Sequence, residues 1–225
     1  MVVSAPVFSE LQKRVVSGLV LFPLAVYLLM VGSPYSDWFI AVFFFLTLVE
    51  WLKLVVKTKF SIRKQTVWFL AGFTYIILGF AGFWHISFNF QIAVLAFVSI
   101  NDIAAYLIGK SLGGKKLAPS ISPKKTWAGS IGGFCVTMIV TGITLWHINS
   151  ALPFSVLIFI AILNVIAQLG DLLESWVKRQ FGVKDSGNII PGHGGVLDRL
   201  DSMLAVGIVM LLCHLKYINI SQLPI

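Results

Sequence analysis

Charged residues are scarce in this chain, and their scarcity excludes an ordinary water-soluble fold. Only 12% of its 225 residues are Asp, Glu, Lys or Arg, about half of the roughly 25% that is typical of soluble domains. Hydrophobic residues make up 58%, and the mean hydropathy is +0.92. The composition therefore predicts an integral membrane protein. Because most of the chain lies in apolar spans, we expect one membrane domain over residues 1–225 and no separate soluble domain.

Cysteine is almost absent, which argues against a cysteine-based metal site. The two cysteines, Cys135 and Cys213, both lie in apolar runs and lack the spacing of metal ligands. Free cysteines in such runs behave as small hydrophobic residues. We interpret both as part of the apolar packing.

Basic residues outnumber acidic ones and give a formal net charge of +8. Such a balance raises the question of nucleic-acid binding. The basic residues are spaced between apolar spans, however, and form no continuous basic face, so no nucleic-acid partner is predicted. Membrane lipid headgroups and substrate phosphates are the expected partners.

Seven apolar segments approach the length of about 20 residues that a membrane-spanning helix needs. They are residues 15–31, 38–56, 67–84, 90–108, 128–148, 152–173 and 202–218. The first follows Lys13 and Arg14, as in a signal peptide, but it is long enough to span and lacks a small-x-small cleavage site. We interpret it as a retained helix. The predicted fold is an all-α, polytopic membrane helix bundle with about seven transmembrane helices.

Basic residues mark every second connection between these segments. Sixteen of the seventeen lie at the N-terminus or in the stretches 53–64, 109–125 and 178–199, whereas the turns GSPYSD, HISFN and INSALP contain none. Connections rich in Lys and Arg stay in the cytoplasm. The pattern predicts a cytoplasmic N-terminus, an outside C-terminus and a multi-pass protein, for which we expect a bacterial inner membrane.

The stretch from Asp171 to Asp201 concentrates the polar chemistry, with five of the nine acids. Ionisable groups beside a bilayer are costly, so the stretch is a predicted functional site facing the cytoplasm. Glu174 stands three residues after Asp171, and Asp201 three after Asp198, so each pair shares one helix face. If the two helix ends adjoin, the carboxylates converge on one pocket. Hard oxygen ligands of this kind suit Mg²⁺.

Simpler explanations stay open for single acids in this stretch. Asp198 or Asp201 would serve as the cap of the seventh helix, and Glu174 would pair with Lys178 at i+4. Four acids around one glycine-rich loop favour the site.

Basic residues between the two pairs of acids offer partners for phosphates. Lys184 and Arg199 are predicted to neutralise a polyphosphate beside the metal. Lys178 and Arg179 are interpreted as ordinary basic residues of a cytoplasmic connection. The run 191–195 brings backbone N–H groups close to a phosphate, because its glycines adopt turns closed to other residues. His193 would either donate to phosphate or hold the loop.

A second constellation, SPKKTW, covers Ser122 to Trp127. Hydroxyls, adjacent lysines and a helix start are suited to an anion, although Trp127 and the lysines would equally anchor the chain at the membrane surface. Upstream, Asp102 lies within a span, where a carboxylate normally faces the bundle interior. Glu50 and Lys53 stand at helical spacing, which a simple ion pair would explain.

Together these motifs resemble the phosphatidate cytidylyltransferases. The family's S-x-x-K-R-x4-K-D-x-G-x-x-x-P-x-H-G-G-x-x-D-R-x-D is matched from Ser175 to Asp201, its Q-x-G-D-x-x-E-S from Gln168 to Ser175, and its S-P-K-K-T-W by Ser122 to Trp127. The likeness covers the half 96–216, whereas residues 1–95 match only as generic spans. Ala128 stands where family members often have Glu.

The resemblance implies transfer of CMP from CTP to phosphatidate, giving CDP-diacylglycerol and pyrophosphate in phospholipid biosynthesis. It implies one Mg²⁺, a second metal ion and a homodimer. The implied catalytic residues are Lys124, Lys184, Asp185 and Arg199. The implied substrate-binding residues are Ser122, Lys125, Thr126, His193, Gly194 and Gly195. Asp171, Asp198 and Asp201 would hold the metal, with Asp102 and Glu174 as supporting groups.

Three other functions fit the membrane setting less well. A CTP-dependent lipid kinase would need a base for an attacking hydroxyl. A CDP-alcohol phosphotransferase would need a D-G-x-x-A-R run, which the sequence lacks. An ion-coupled transporter would place polar residues deep in several spans, whereas here they gather at the cytoplasmic ends.

Overall fold

The computed structural model describes residues 10–148, 153–190 and 194–216, with side chains described from residue 18 onward. Seven helices make up most of this described chain. They are α1 (Glu10–Val31), α2 (Tyr35–Val56), α3 (Ile62–His85), α4 (Phe88–Leu112), α5 (Trp127–Ile148), α6 (Phe154–Gln180) and α7 (Leu197–Leu215). The predicted helical bundle is confirmed. Several helices extend beyond the apolar segments: α1 begins at Glu10, α3 begins at Ile62 and α4 ends at Leu112, while α6 continues past 173 and α7 begins before 202.

A two-stranded hairpin interrupts the helices between α4 and α5. Strands β1 (Lys116–Ala118) and β2 (Ser122–Thr126) pair antiparallel, with Lys116 opposite Thr126. The sequence predicted only a loop and a helix start here, so the expectation of purely α structure is wrong at this point. The Trp127 N–H donates to the Lys115 carbonyl at 3.0 Å, which ends the hairpin where α5 begins.

Five of the described helices, α2 to α6, are long and apolar enough to cross a membrane. Helix α1 contains a shorter apolar part, Gly18–Val31. Helix α7 carries Asp198, Arg199 and Asp201 in its first turns, so its apolar part is short. The number of helices that cross the membrane stays a prediction, as does the side on which each end lies.

Helix α7 lies in the core of the bundle and packs closely on α3. Its Val206 is fully buried, as is Ala167 of α6. A Cβ atom at Gly207 would collide with the Gly79 carbonyl of α3, and a Cβ at Gly82 would collide with the Gly207 carbonyl. Glycine at these positions therefore allows the two backbones to touch, as small residues do between membrane helices.

A buried polar network joins α4, α5 and α6 just below the predicted site. The Gln168 amide donates to Asn101 at 3.3 Å, to Asn164 at 3.1 Å and to the Ser130 carbonyl at 3.2 Å. The Ser130 hydroxyl donates back to the Gln168 carbonyl oxygen. Amide side chains in an apolar region need such partners, because an unmatched polar group there is costly. The network positions the helix ends that carry Asp102 and Asp171.

The close approach of α3 and α7 predicts a stability difference between two identical substitutions. Gly207→Ala forces α3 and α7 apart, and overpacking of this kind costs about 1–3 kcal/mol. Gly142→Ala in α5 adds the same methyl group where no atom of another helix lies within 4 Å. We expect Gly207→Ala to unfold at a lower temperature than the wild type in detergent and Gly142→Ala to match it. Equal unfolding temperatures for the two variants would contradict the packing.

Candidate active site

Asp201 lies at the centre of a group of acids drawn from three helices. Its side chain on α7 is buried, with 8% of the residue exposed. It interacts electrostatically with Asp171 and Glu174 of α6 and with Asp102 of α4. Asp102 is exposed and Asp171 is partly exposed, so the group is reached from the surface of the chain. We call this group of acids, in which Asp201 is more buried than Asp102 and Asp171, the cleft.

Basic side chains border the same cleft. Strand β2 places Lys125 in an ion pair with Asp171. Lys125 and Arg199 are both within electrostatic range of Asp102. The hairpin therefore brings SPKKTW to the acids of α4 and α6. Of the two adjacent lysines, Lys125 is the one that contacts an acid, whereas Lys124 is exposed.

Lys178 forms a second, more buried ion group beside the cleft. Its ammonium pairs with Glu174 one turn earlier and with Asp198 at 2.7 Å, and only 11% of its side chain is exposed. Lys178 is therefore not simply a basic residue of a connection, because it lies within α6 and forms two ion pairs there. The predicted i+4 pairing with Glu174 is confirmed. Because Glu174 interacts with both Asp201 and Asp198, it connects the two groups.

Arg179, by contrast, is exposed and binds only backbone in its described contacts. Its guanidinium donates to the Ile121 carbonyl at 3.1 Å and to the Val183 carbonyl at 2.8 Å. These bonds join the end of α6 to the hairpin.

Asp198 holds the loop that precedes α7. Its carboxylate accepts the Ser186 N–H at 2.9 Å and the Gly195 N–H at 2.8 Å in addition to Lys178. Burial alone would raise the pKa of Asp198, but the hydrogen bonds and charge of Lys178, with the N–H groups of Gly195 and Ser186, hold that pKa below its ordinary value. Asp198 does not cap α7 in the usual way, because the cap residue is Val196, which makes no side-chain bond. The carboxylate instead closes the loop.

Glycines in this loop make room for the protein's own polar groups. A Cβ atom at Gly195 would collide with the Ser186 hydroxyl and lie 2.6 Å from a Glu50 oxygen. Gly194 adopts φ +86°, and its carbonyl accepts the Ile190 N–H at 3.0 Å. The intervening residues 191–193, which include the predicted ligand His193, lie outside the described residues.

The remaining predicted residues differ in their exposure. Lys184 and Asp185 are exposed in the loop, and Ser122 is partly exposed at the start of β2. Thr126 is buried, and its hydroxyl oxygen accepts the Gly129 N–H at 3.1 Å. That bond gives Thr126 a structural task at the start of α5, because the first N–H groups of a helix lack partners within it.

The acids of the cleft fit a divalent cation without forming a complete cage. Within the described ranges, no three Asp, Glu, His or Cys side chains are arranged as a full set of metal ligands. Mg²⁺ does not need one, since it usually takes one or two carboxylates and completes its shell with water and substrate phosphates. Asp171 and Asp201 are suited to this task. Asp198 can join them only by releasing Lys178 or a loop N–H group.

Sequence reasoning missed Glu50, which comes from α2. Its carboxylate is 1% exposed and accepts the Leu197 N–H at 2.9 Å. The sequence offered Lys53 as its partner, but Lys53 is exposed. A lone acid inside an apolar helix is the signal that could have pointed to it.

The ion group predicts a stability defect that a second change repairs. Lys178→Met leaves Glu174 and Asp198 without their shared cation, and breaking a buried pair from one side costs about 3–5 kcal/mol. We expect a lower unfolding temperature for Lys178→Met and a partial recovery when Glu174→Gln is added. Arg179→Met is the matched control, because that neighbour is exposed and its described bonds go to backbone carbonyls and not to a buried acid. A Lys178→Met protein as stable as the control would contradict the buried pairing.

Comparison with known proteins agrees with this cluster of charges. The sequence model of the cytidylyltransferase family matches residues 66–216, a range that contains the whole cleft. A phosphatidate cytidylyltransferase of Brucella melitensis is 46% identical over 147 residues, which are 64% of this chain and 54% of that protein. A phosphatidate cytidylyltransferase of Staphylococcus haemolyticus is 40% identical over 154 residues, 67% of this chain and 59% of that protein.

The chain thus spans between half and two thirds of the length of these relatives. The family match nevertheless covers most of α3, all of α4 to α7 and every acid of the cleft. Because the family match extends over more than half of the chain, the protein belongs to the cytidylyltransferase family.

Proposed function

We propose that this protein is a phosphatidate cytidylyltransferase, which transfers CMP from CTP to phosphatidate in phospholipid biosynthesis. The observation that carries the proposal is the cleft of facing acids and cations at the ends of apolar helices. Anionic groups on a lipid and on a nucleotide both need cations, and the lipid needs a membrane-embedded site. The relatives named for this activity support the choice of substrates.

The proposed reaction joins two phosphates. An oxygen of the phosphatidate phosphate attacks the α-phosphorus of CTP, the bond from that phosphorus to the β-phosphate oxygen breaks, and pyrophosphate leaves. A phosphate monoester has its second pKa near 6, so the nucleophile is already largely ionised at neutral pH. No strong base is required of the protein. Its task is to hold two anions in line and to offset their charge.

We assign Asp171 and Asp201 to the Mg²⁺ that accompanies the CTP phosphates. When bound, the ion supplies positive charge to the phosphate oxygens and to the departing pyrophosphate. Lys125, which forms an ion pair with Asp171, offsets part of the negative charge of that carboxylate. Asp102 and Glu174 act as supporting acids around Asp201. Asp198 is a further ligand only when its loop rearranges.

Basic residues at the rim are assigned to substrate phosphates. Arg199, Lys124 and Lys184 are exposed around the cleft and the loop. Lys125 is shared between Asp171 and an incoming phosphate, since an ammonium has three donors. These cations hold the phosphates while negative charge moves to pyrophosphate. Residues 96–216 are the proposed catalytic half, supported by the spans of 1–95 in one membrane domain.

The activity predicts a direct assay on the purified protein in detergent. With phosphatidate, CTP and Mg²⁺ we expect CDP-diacylglycerol and pyrophosphate in equal amounts, and chelation of the metal should stop the reaction. Asp171→Asn and Asp201→Asn should each lower kcat by about 100-fold or more, because each loses a carboxylate that would hold the Mg²⁺ whose positive charge offsets the transition state. Asp37→Asn is the control, because Asp37 lies in the first turn of α2 and accepts only the Ser33 hydroxyl among its described contacts.

Two outcomes of the assay would overturn the proposal. One is that folded protein forms no CDP-diacylglycerol. Transfer of the terminal phosphate of CTP to a lipid alcohol would then indicate a kinase. The other is undiminished activity in both Asp171→Asn and Asp201→Asn.

We also propose that the cleft faces the cytoplasm of a bacterial inner membrane, where CTP is available. The basic connections that border it favour this side. In a chain whose own cysteines are replaced by alanine, we expect an impermeant maleimide to label Ser33→Cys in intact spheroplasts. Lys59→Cys should react only after the membrane is permeabilised. Both positions are exposed. The reverse labelling would contradict the proposed orientation.

A further inference from the structure

We propose that Glu50 positions the loop before α7 by accepting hydrogen bonds from two parts of it. Glu50 lies near the end of α2, before residue 66, where the match to the family begins. One of its oxygens, Oε2, accepts the Leu197 N–H at 2.9 Å and the Ser186 hydroxyl at 3.4 Å. Leu197 is 147 residues further along the chain. The residue thus connects a generic apolar span to the site.

The start of α7 needs this external acceptor. The first N–H groups of any helix have no partner within the helix, and a side chain usually supplies one. The cap residue here is Val196, whose side chain cannot accept a hydrogen bond. A carboxylate at this end also interacts favourably with the partial positive charge of the helix N-terminus. Glu50, although it lies on α2, therefore accepts the hydrogen bond that a capping residue next to α7 would normally accept.

Two glycines give Glu50 its place. A Cβ atom at Gly187 would collide with Glu50 Oε1, and one at Gly195 would lie 2.6 Å from Oε2. The loop backbone consequently packs directly on the carboxylate from both sides. This packing provides a further reason for glycine at positions 187 and 195, besides any approach of substrate.

The second carboxylate oxygen of Glu50, Oε1, is buried as well and needs a hydrogen-bond partner. Oε1 has no hydrogen-bond partner among the described residues. Glu50 also lines a cavity of about 330 Å³, together with Lys53, Leu54, Lys57 and residues 186–189. A cavity of this size that is also lined by the charged residues Lys53 and Lys57 has room for water, which can satisfy such an atom. Lys53 and Lys57 are one turn apart and supply positive charge at its edge.

The position of Glu50 links it to the proposed reaction through Asp198. Ser186 donates its N–H to Asp198 and its hydroxyl to Glu50, and Leu197 directly precedes Asp198. Losing Glu50 would free Ser186 and the first turn of α7 together. Asp201, one turn further on, would move with that turn. Glu50 touches no reacting atom, so it is a positioning residue, and its effect on catalysis rests on the proposed function.

The experiment compares Glu50→Ala, Glu50→Gln and the control Thr47→Val in detergent. Thr47 is a fully buried polar residue one turn earlier on α2, and its hydroxyl donates only to the Phe43 carbonyl among its described contacts. The first measurement is hydrogen exchange of peptides covering 186–190 and 194–200, which requires no activity. Glu50→Ala leaves a buried donor unmatched, so exchange there should be about 5- to 100-fold faster. Glu50→Gln keeps an acceptor oxygen and should retain most of the wild-type protection against exchange. Thr47→Val should exchange as slowly as the wild type.

The second measurement is kcat and the KM for CTP per folded molecule. We expect kcat/KM of Glu50→Ala to fall about tenfold or more, with recovery in Glu50→Gln, because the amide keeps the bonds to Leu197 and Ser186. Wild-type exchange in Glu50→Ala, or equal losses in Glu50→Gln and Glu50→Ala, would overturn the assignment. Inactivity of the wild type would overturn the proposed reaction alone, because the exchange comparison still tests Glu50.

Discussion

The arrangement of the site depends on the hydrogen bonds and the ion pair of the Asp198 carboxylate. This carboxylate binds Lys178 of α6, the Ser186 N–H of the loop and the Gly195 N–H just before α7. Charges at the end of an apolar helix are costly unless they are paired and hydrogen-bonded. A single anion that satisfies one cation and two backbone donors meets this requirement. It also determines how α6, the loop and α7 lie relative to one another.

The cleft next to this carboxylate combines opposite demands. Negative charges meet there at Asp102, Asp171 and Asp201, and such a group attracts a cation. The positive charges of Lys125 and Arg199 attract anions. Both are needed where a metal-bound polyphosphate meets a second phosphate. The buried amides around Gln168 fix the helices that carry these acids, because their partners come from α4, α5 and α6. Packing and chemistry are therefore coupled through α6.

Local patterns in the sequence were sufficient to predict the helices and the types of residue that form the site. Apolar runs of span length predict helices without knowledge of their neighbours, but the helices extend past these runs into polar residues, most of all at the end of α6 and the start of α7. The i, i+3 acids of 171–174 and 198–201 point to shared helix faces for the same reason. The hairpin at 116–126 was missed because its pairing is short and its lysine-rich strands resemble a surface loop. Lys178 was misjudged because its second partner, Asp198, is twenty residues away.

The sequence by itself determined that the chain enters a membrane and where its polar chemistry gathers, because hydropathy and charge spacing are local properties. Tertiary structure decided which charges meet. It placed Lys125 on Asp171, enclosed Lys178 between Glu174 and Asp198, and brought Glu50 of α2 to the start of α7. Hydrogen bonds and ion pairs act over a few ångströms, so these partnerships depend on which helix ends adjoin. That neighbourhood is set by the glycine contacts between backbones and by the buried amides, which act between elements distant in the chain.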